Sequence, residues 1–182
     1  MKNIIRTLFV LGVLTSFNSF GQKLPGVDKS TLDVSYLPHN YAHDGGDGPV
    51  ARVLYSRPAK KDREVFGKLV PFGKVWRVGA NETTEIEFFK DVKFGGKEVK
   101  AGVYSLFAIP EKDSWTIILN TQKYSWGAYS YKEDKDVLRI TVPVSENKDV
   151  VENFTIMFSS KGKSGTMNLY WDSTIVEVPI EY

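Results

Sequence analysis

Leu138-Arg139-Ile140-Thr141-Val142-Pro143-Val144 alternates large apolar residues with others over seven positions. A strand sends successive side chains to opposite faces, so Leu138, Ile140, Val142 and Val144 share one face, with Arg139 and Thr141 on the other. The same period of two recurs in Thr84, Ile86 and Phe88 against Glu85 and Glu87. It returns in Phe154, Ile156 and Phe158, in Met167, Leu169 and Trp171, and in Val176, Val178 and Ile180. Residues 103–109 and 115–119 are apolar on both faces, as buried central strands are. Gly95-Gly96, between Val92-Lys93-Phe94 and Lys97-Glu98-Val99, predicts a two-residue hairpin, because primed turns need positive φ. Eight or nine short strands divided by Gly, Asp and Asn turns predict an all-β fold. The expected form is an antiparallel β-sandwich, with a barrel-like arrangement as the alternative. Pro143 and Pro179 fall inside strand patterns and so predict an edge or a bulge there.

One short helical segment is expected near the N-terminus, at residues 61–70. Val65, Phe66 and Leu69 share a side there, Asp62 can cap it and Pro71 ends it. Residues 22–50 read as an N-terminal arm, with strand character at Asp33-Val34-Ser35-Tyr36-Leu37, and residues 51–182 as the sandwich domain. Residues 1–21 read as a signal peptide. Lys2 and Arg6 precede the apolar run Leu8-Phe9-Val10-Leu11-Gly12-Val13-Leu14, and Ser19 and Gly21 supply the small residues ahead of a cut before Gln22. That run falls short of the roughly 20 residues that cross a bilayer, so no transmembrane anchor is expected after cleavage. The expected location is exported, periplasmic or extracellular.

The chain has no cysteine, which removes disulfides, a lipid-anchored cysteine, thiolate metal sites and a cysteine nucleophile at once. The formal charge of +2 comes from 24 basic and 22 acidic residues. Lys2 and Arg6 account for the excess, so the mature chain is formally neutral, and no nucleic-acid partner is expected. His39 and His43, followed by Asp44 and Asp47, have metal-ligand chemistry. They sit in a Gly-rich loop without a shared helical face, so no metal and no cofactor are expected. Gly162-Lys163-Ser164 lacks the earlier glycine of a phosphate-binding loop and reads as a hairpin turn.

Two stretches concentrate ligand-binding chemistry. The first is Pro71-Phe72-Gly73-Lys74-Val75-Trp76-Arg77-Val78-Gly79-Ala80-Asn81-Glu82. An indole beside a guanidinium, then a turn ending in an amide and a carboxylate, can hold a planar polar ligand or a sugar. The alternative is internal, with Trp76 in the core and Arg77 paired to Glu82 across the turn. The second is Trp126-Gly127-Ala128-Tyr129-Ser130-Tyr131, a loop whose aromatics either bind or cap the sandwich. The candidate ligand-binding residues are therefore Trp76, Arg77, Asn81, Glu82, Trp126 and Tyr129. Two function classes follow. One is a non-enzymatic binding or structural module for an envelope ligand or protein. The other is a small hydrolase or lyase on an envelope polymer, with Glu82 or Asp172 as acid or base. Without an assigned nucleophile or catalytic residue, the first is favoured.

Tyr55-Ser56-Arg57-Pro58, Phe66-Gly67 and the block from Leu69 to Glu82 resemble the signature of the domain-of-unknown-function family 2911. The similarity continues through Ala101-Gly102, Tyr104-Ser105-Leu106-Phe107, Ile109-Pro110, Trp126-Gly127-Ala128 and Asp136-Val137-Leu138-Arg139 to Trp171-Asp172. The resemblance implies an exported, single-domain bacterial protein, and it brings no catalytic residue with it.

Overall fold

The computed structural model describes residues 23–39 and 41–182, so the expected signal peptide lies outside the described residues. Gly95 and Gly96 take φ of +58° and +77° and join β4 (Val92–Phe94) to β5 (Lys97–Val99) as the two-residue turn predicts. The other strands are β1 (Leu32–Leu37), β2 (Ala51–Ser56), β3 (Glu85–Phe88), β6 (Gly102–Pro110), β7 (Ser114–Asn120), β8 (Asp136–Lys161) and β9 (Ser164–Glu181). They run antiparallel in the order β1-β2-β3-β6-β7-β8-β9-β4-β5.

The four alternating segments after residue 136 are two long strands rather than four short ones. β8 pairs with β7 as far as Ser114 opposite Pro143, then with β9 from Val144 opposite Val176. Pro143 has no N–H to give and stands where the strand changes partner, which is how an internal proline is accommodated. Register shifts between Glu146, Val151 and Thr155 carry the polar run through without a turn. One strand therefore serves both layers of a β-sandwich, and the sheet is not closed into a barrel. Gly162 (φ +60°) turns the chain into β9, in keeping with the hairpin reading of Gly162-Lys163-Ser164.

The layers meet over a buried core. Phe88 of β3 lies 5.6 Å from Phe94 of β4, and Tyr55 of β2 lies edge-on to Phe154 of β8 at 5.8 Å. At one end, Trp76 stacks on Trp171 at 5.9 Å and meets Trp115, Phe66 and Phe154 at tilted or edge-on angles. Such pairs contribute about 0.5–1.5 kcal/mol each beyond the area they bury. The alternation reads as expected: Leu138, Ile140, Val142, Phe154, Ile156 and Phe158 are buried while Arg139, Thr141 and Met157 are exposed.

The short helix is placed differently from its expectation. It is α1, Tyr41–Asp44, a single turn closed by the Gly45 amide on the Tyr41 carbonyl at 2.8 Å. Residues 61–70 form turns instead. Lys61 and Asp62 take positive φ, Gly67 takes +92°, and the Gly67 amide bonds forward to the Val70 carbonyl. Val65 and Phe66 enter the core as consecutive residues, while Leu69 stays exposed, so no helical face forms. The apolar spacing came from plugging a corner.

Candidate functional site

The stretch 76–82 is a turn pinned at its centre. Gly79 is buried against β2, where an added Cβ would stand 3.0 Å from both the Ser56 carbonyl and Thr84 Oγ1. Val78 and Asn81 take φ of +54° and +59°, which a buried turn must enforce on non-glycine residues. It does so with hydrogen bonds: Thr84 Oγ1 donates to the Val78 carbonyl at 2.6 Å, and Trp76 Nε1 to the Gly79 carbonyl at 3.2 Å. Trp76 itself is only 9% exposed.

The turn's outgoing limb pairs with the aromatic loop. The Thr83 amide donates to the Ser125 carbonyl at 2.9 Å, and the Gly127 amide to the Asn81 carbonyl at 3.0 Å. Thr83 Oγ1 is buried between the strands, donating to the Gly127 carbonyl at 2.6 Å. The far end of the loop is tied by a side-chain network. Tyr131 donates to Asp136 Oδ2 at 2.6 Å, Arg139 Nε reaches the same oxygen at 2.7 Å, and Asn120 Nδ2 reaches Asp136 Oδ1 at 2.7 Å. Burial, then the bond to Asp136, pushes the Tyr131 phenol up to about 12.

Beneath this junction lies a cleft of about 390 Å³, walled by β2, β3, residues 28–32 and the loop. Asn81, Glu82, Glu85, Asp28, Tyr124 and Trp126 are among its lining residues, and no Lys or Arg is. Trp126 is 59% and Tyr124 85% exposed. Glu87, two residues beyond Glu85 on the same face of β3, is satisfied by Arg52 at 2.7 Å. Glu85 faces Leu54 and Ser105 across the ladders, and its Oε2 is buried without a hydrogen-bond partner. The Asp28 carboxyl is lowered from its ordinary value, first by the Ser30 amide and then by the Asn81 side chain.

A family model described as "Protein of unknown function (DUF2911)" matches residues 38–180. This chain belongs to the DUF2911 family. Searches of curated proteins and of solved structures each found no match. The DUF2911 match begins ahead of the quoted signature residues and takes in His39 and His43. In this DUF2911 chain the His43 imidazole lies 2.8 Å from Asp44, both exposed. Among the described residues, no three His, Asp or Glu are grouped as a metal would need, and no helix is long and apolar enough to cross a membrane.

The six predicted binding residues divide into three destinations. Trp76 goes to the core. Asn81, Glu82 and Trp126 line the DUF2911 cleft together, Glu82 and Trp126 facing each other as backbone partners. Arg77 and Tyr129 line a separate recess on the far side of the turn. The expected Arg77–Glu82 pair is absent among the ion pairs of the described residues. Positive φ at Val78 and Asn81 sends Glu82 out beside Trp126, while Arg77 lies against Gly127, where a Cβ would overlap Nη1. Asp172, the other candidate acid, is bound to Lys60 at 3.1 Å. Sequence reading missed Asp28, Tyr124 and Glu85. For Glu85 the signal was present: it alternates with Ile86 and Phe88, and only its cross-strand partners reveal that it lacks a cation.

Proposed function

We propose that this DUF2911 chain is an exported, non-enzymatic binding protein of the cell envelope. In this reading its cleft holds a ligand that offers hydrogen-bond donors and an apolar face, as a saccharide unit of an envelope polymer does. The observation that carries it is the buried Glu85 Oε2, an acceptor without a partner in the wall of a cleft rimmed by exposed Trp126 and Tyr124. A buried acceptor left unmet costs about 1–3 kcal/mol, so a donor arriving from a ligand has something to gain. Asn81 and Glu82 add further polar contacts at fixed places, and an indole with a phenol offers flat apolar surface. Lined by carboxylates without a basic residue, the cleft favours neutral or cationic ligands over anions. The leader-like residues 1–21 support export, to the periplasm or the exterior.

The test is a fluorescence titration of the mature protein with oligosaccharides released from the bacterial envelope. Saturable quenching is expected, lost in Trp126→Ala and weakened at least tenfold in Glu85→Gln, with unchanged melting temperature in both. Unaltered binding in both variants would remove the cleft from consideration. Cleavage of the oligosaccharide, abolished by Glu82→Gln, would overturn the non-enzymatic reading in favour of a hydrolase or lyase.

A further inference from the structure

We infer that Arg77 anchors a second binding site, distinct from the cleft, that takes a carboxylate with a compact apolar body. The argument starts from how the other arginines of the described residues are occupied. Arg52 meets Glu87, and Arg57 meets Asp33 and Thr155. Arg63 Nε donates to the Lys60 carbonyl, and Arg139 reaches Asp136, Glu133 and Tyr131. Arg77 differs. Among the described residues its guanidinium makes no hydrogen bond or ion pair, and its Nε is buried without a partner. A guanidinium cannot shed its proton at any pH a protein survives, so it cannot escape burial by neutralising, as a lysine would. Arg77 as a whole is half-buried, so its terminal amino groups stay open to the recesses it lines, where an anion can pair with them.

The surroundings suit one. Arg77 is shared by two adjoining recesses, of about 190 and 320 Å³, and no Asp or Glu lines either of them. Lys74 and Arg63 line the smaller recess as well, Lys74 exposed and without an ion pair among the described residues, Arg63 tied to the Lys60 and Ala59 carbonyls. The walls are apolar: Leu69, Pro71 and Val75, with the edge of Trp76 and the 86% exposed Tyr129. Gly127 is the piece that makes room. At φ +62° it passes directly beside Nη1, where any side chain would strike the guanidinium.

These features select within the anions. A guanidinium fork matches the two oxygens of a planar carboxylate, while a fully hydrated phosphate has no body to set against the apolar walls. The apolar walls then require a hydrophobic body behind the carboxylate. A free organic acid and the C-terminal residue of a peptide both carry this chemistry.

The experiment follows the Arg77 Nε–H resonance of isotope-labelled mature protein by nuclear magnetic resonance. Four probes are titrated: benzoate, a tripeptide ending in Phe, neutral benzamide and inorganic phosphate. A saturable shift is expected with benzoate, none with benzamide, and at most a weak one with phosphate. A stronger response to the tripeptide than to benzoate assigns the site to a peptide terminus, and the reverse assigns it to a free acid. Arg77→Lys keeps the charge but not the fork, and is expected to weaken binding more than tenfold as followed by Tyr129 fluorescence. Lys74→Gln should weaken it roughly two- to fivefold, as a rim charge does. No saturable shift with either carboxylate, or shifts from phosphate or benzamide equal to that from benzoate, would overturn the proposal. Saccharide binding in the cleft should be unaffected by Arg77→Lys, so this site and the cleft stand or fall separately.

Discussion

The two sides of the turn at residues 76–82 differ in every property that decides what they can hold. On the cleft side, three carboxylates face two exposed aromatics, and one carboxylate oxygen is buried without a donor. On the recess side, a half-buried guanidinium with an unpartnered Nε and an exposed lysine face apolar walls. Only five residues of chain separate Trp76 from Glu82, yet the stretch reaches three environments. A tight turn with left-handed residues at Val78 and Asn81 turns neighbours in sequence into opponents in space. Charge that would cancel across a looser turn is instead separated, and each side keeps its own appetite.

The sharpest contrast is between two tryptophans of this region, and it gives the largest expected effect. Trp76→Ala should destabilise the protein by about 3–5 kcal/mol, the range for emptying a large aromatic core position. Trp126→Ala should change stability by no more than about 0.5 kcal/mol, as exposed substitutions do. Urea unfolding of the two variants measures both. Similar losses would mean that the loop tryptophan is part of the core and the cleft has no aromatic rim.

Gly127 tests how the two sides are kept apart. Gly127→Ala should cost about 1–2 kcal/mol from its left-handed backbone, with a further loss from striking Arg77. Arg77→Ala alone should cost little, because it removes a half-buried charge that has no partner among the described residues. The double variant should then be less destabilised than the sum of the singles, the part due to overlap having vanished. Strict additivity in a double-mutant cycle would show that Arg77 does not lean on Gly127.

The smallest effect is expected at alkaline pH. Tyr131 ionises near 10 in the unfolded chain and near 12 in the folded one. Its contribution is therefore complete below pH 10 and is lost as pH rises towards 12. Tyr55 and Tyr104 are also held above 10, chiefly by burial, so they share the loss. Melting curves between pH 9 and 12 should fall less steeply for Tyr131→Phe than for the parent protein. Identical slopes would mean that the tie between Tyr131 and Asp136 does not hold the loop.

Much of the architecture was legible because it depends on local alternation. Leu138, Ile140 and Val142 face inward because a pleated strand leaves them no other choice, and Gly95-Gly96 turns because few other pairs can. What was hidden depends on partners distant in sequence. Val65, Phe66 and Leu69 have helical spacing, yet Phe66 fills a corner made by Trp76, Trp115 and Trp171, and no local rule contains that corner. The Arg77–Glu82 pair was a reasonable inference from a short turn, but it required the turn to close in the right-handed region. Glu85 looked like any solvent-facing acid of an alternating strand. Its significance lies in Leu54 and Ser105, which stand opposite it where Glu87 has Arg52.

The length of β8 has a consequence for how the protein is made. Its first part finishes a layer begun by β1, β2 and β3, and its second part starts the layer that β9 completes. β4 must wait for a partner 88 positions later, with Lys93 opposite Glu181, before its hairpin gains a neighbour. Such pairings close long loops before they are rewarded, which slows the search for the native state. While the chain is only partly made, β4 and the open flank of β7 expose unpaired backbone, the condition under which strands pair with the wrong neighbour. The order of synthesis therefore leaves this fold waiting on the eighteen residues of β9, and that strand decides the moment at which the sandwich closes.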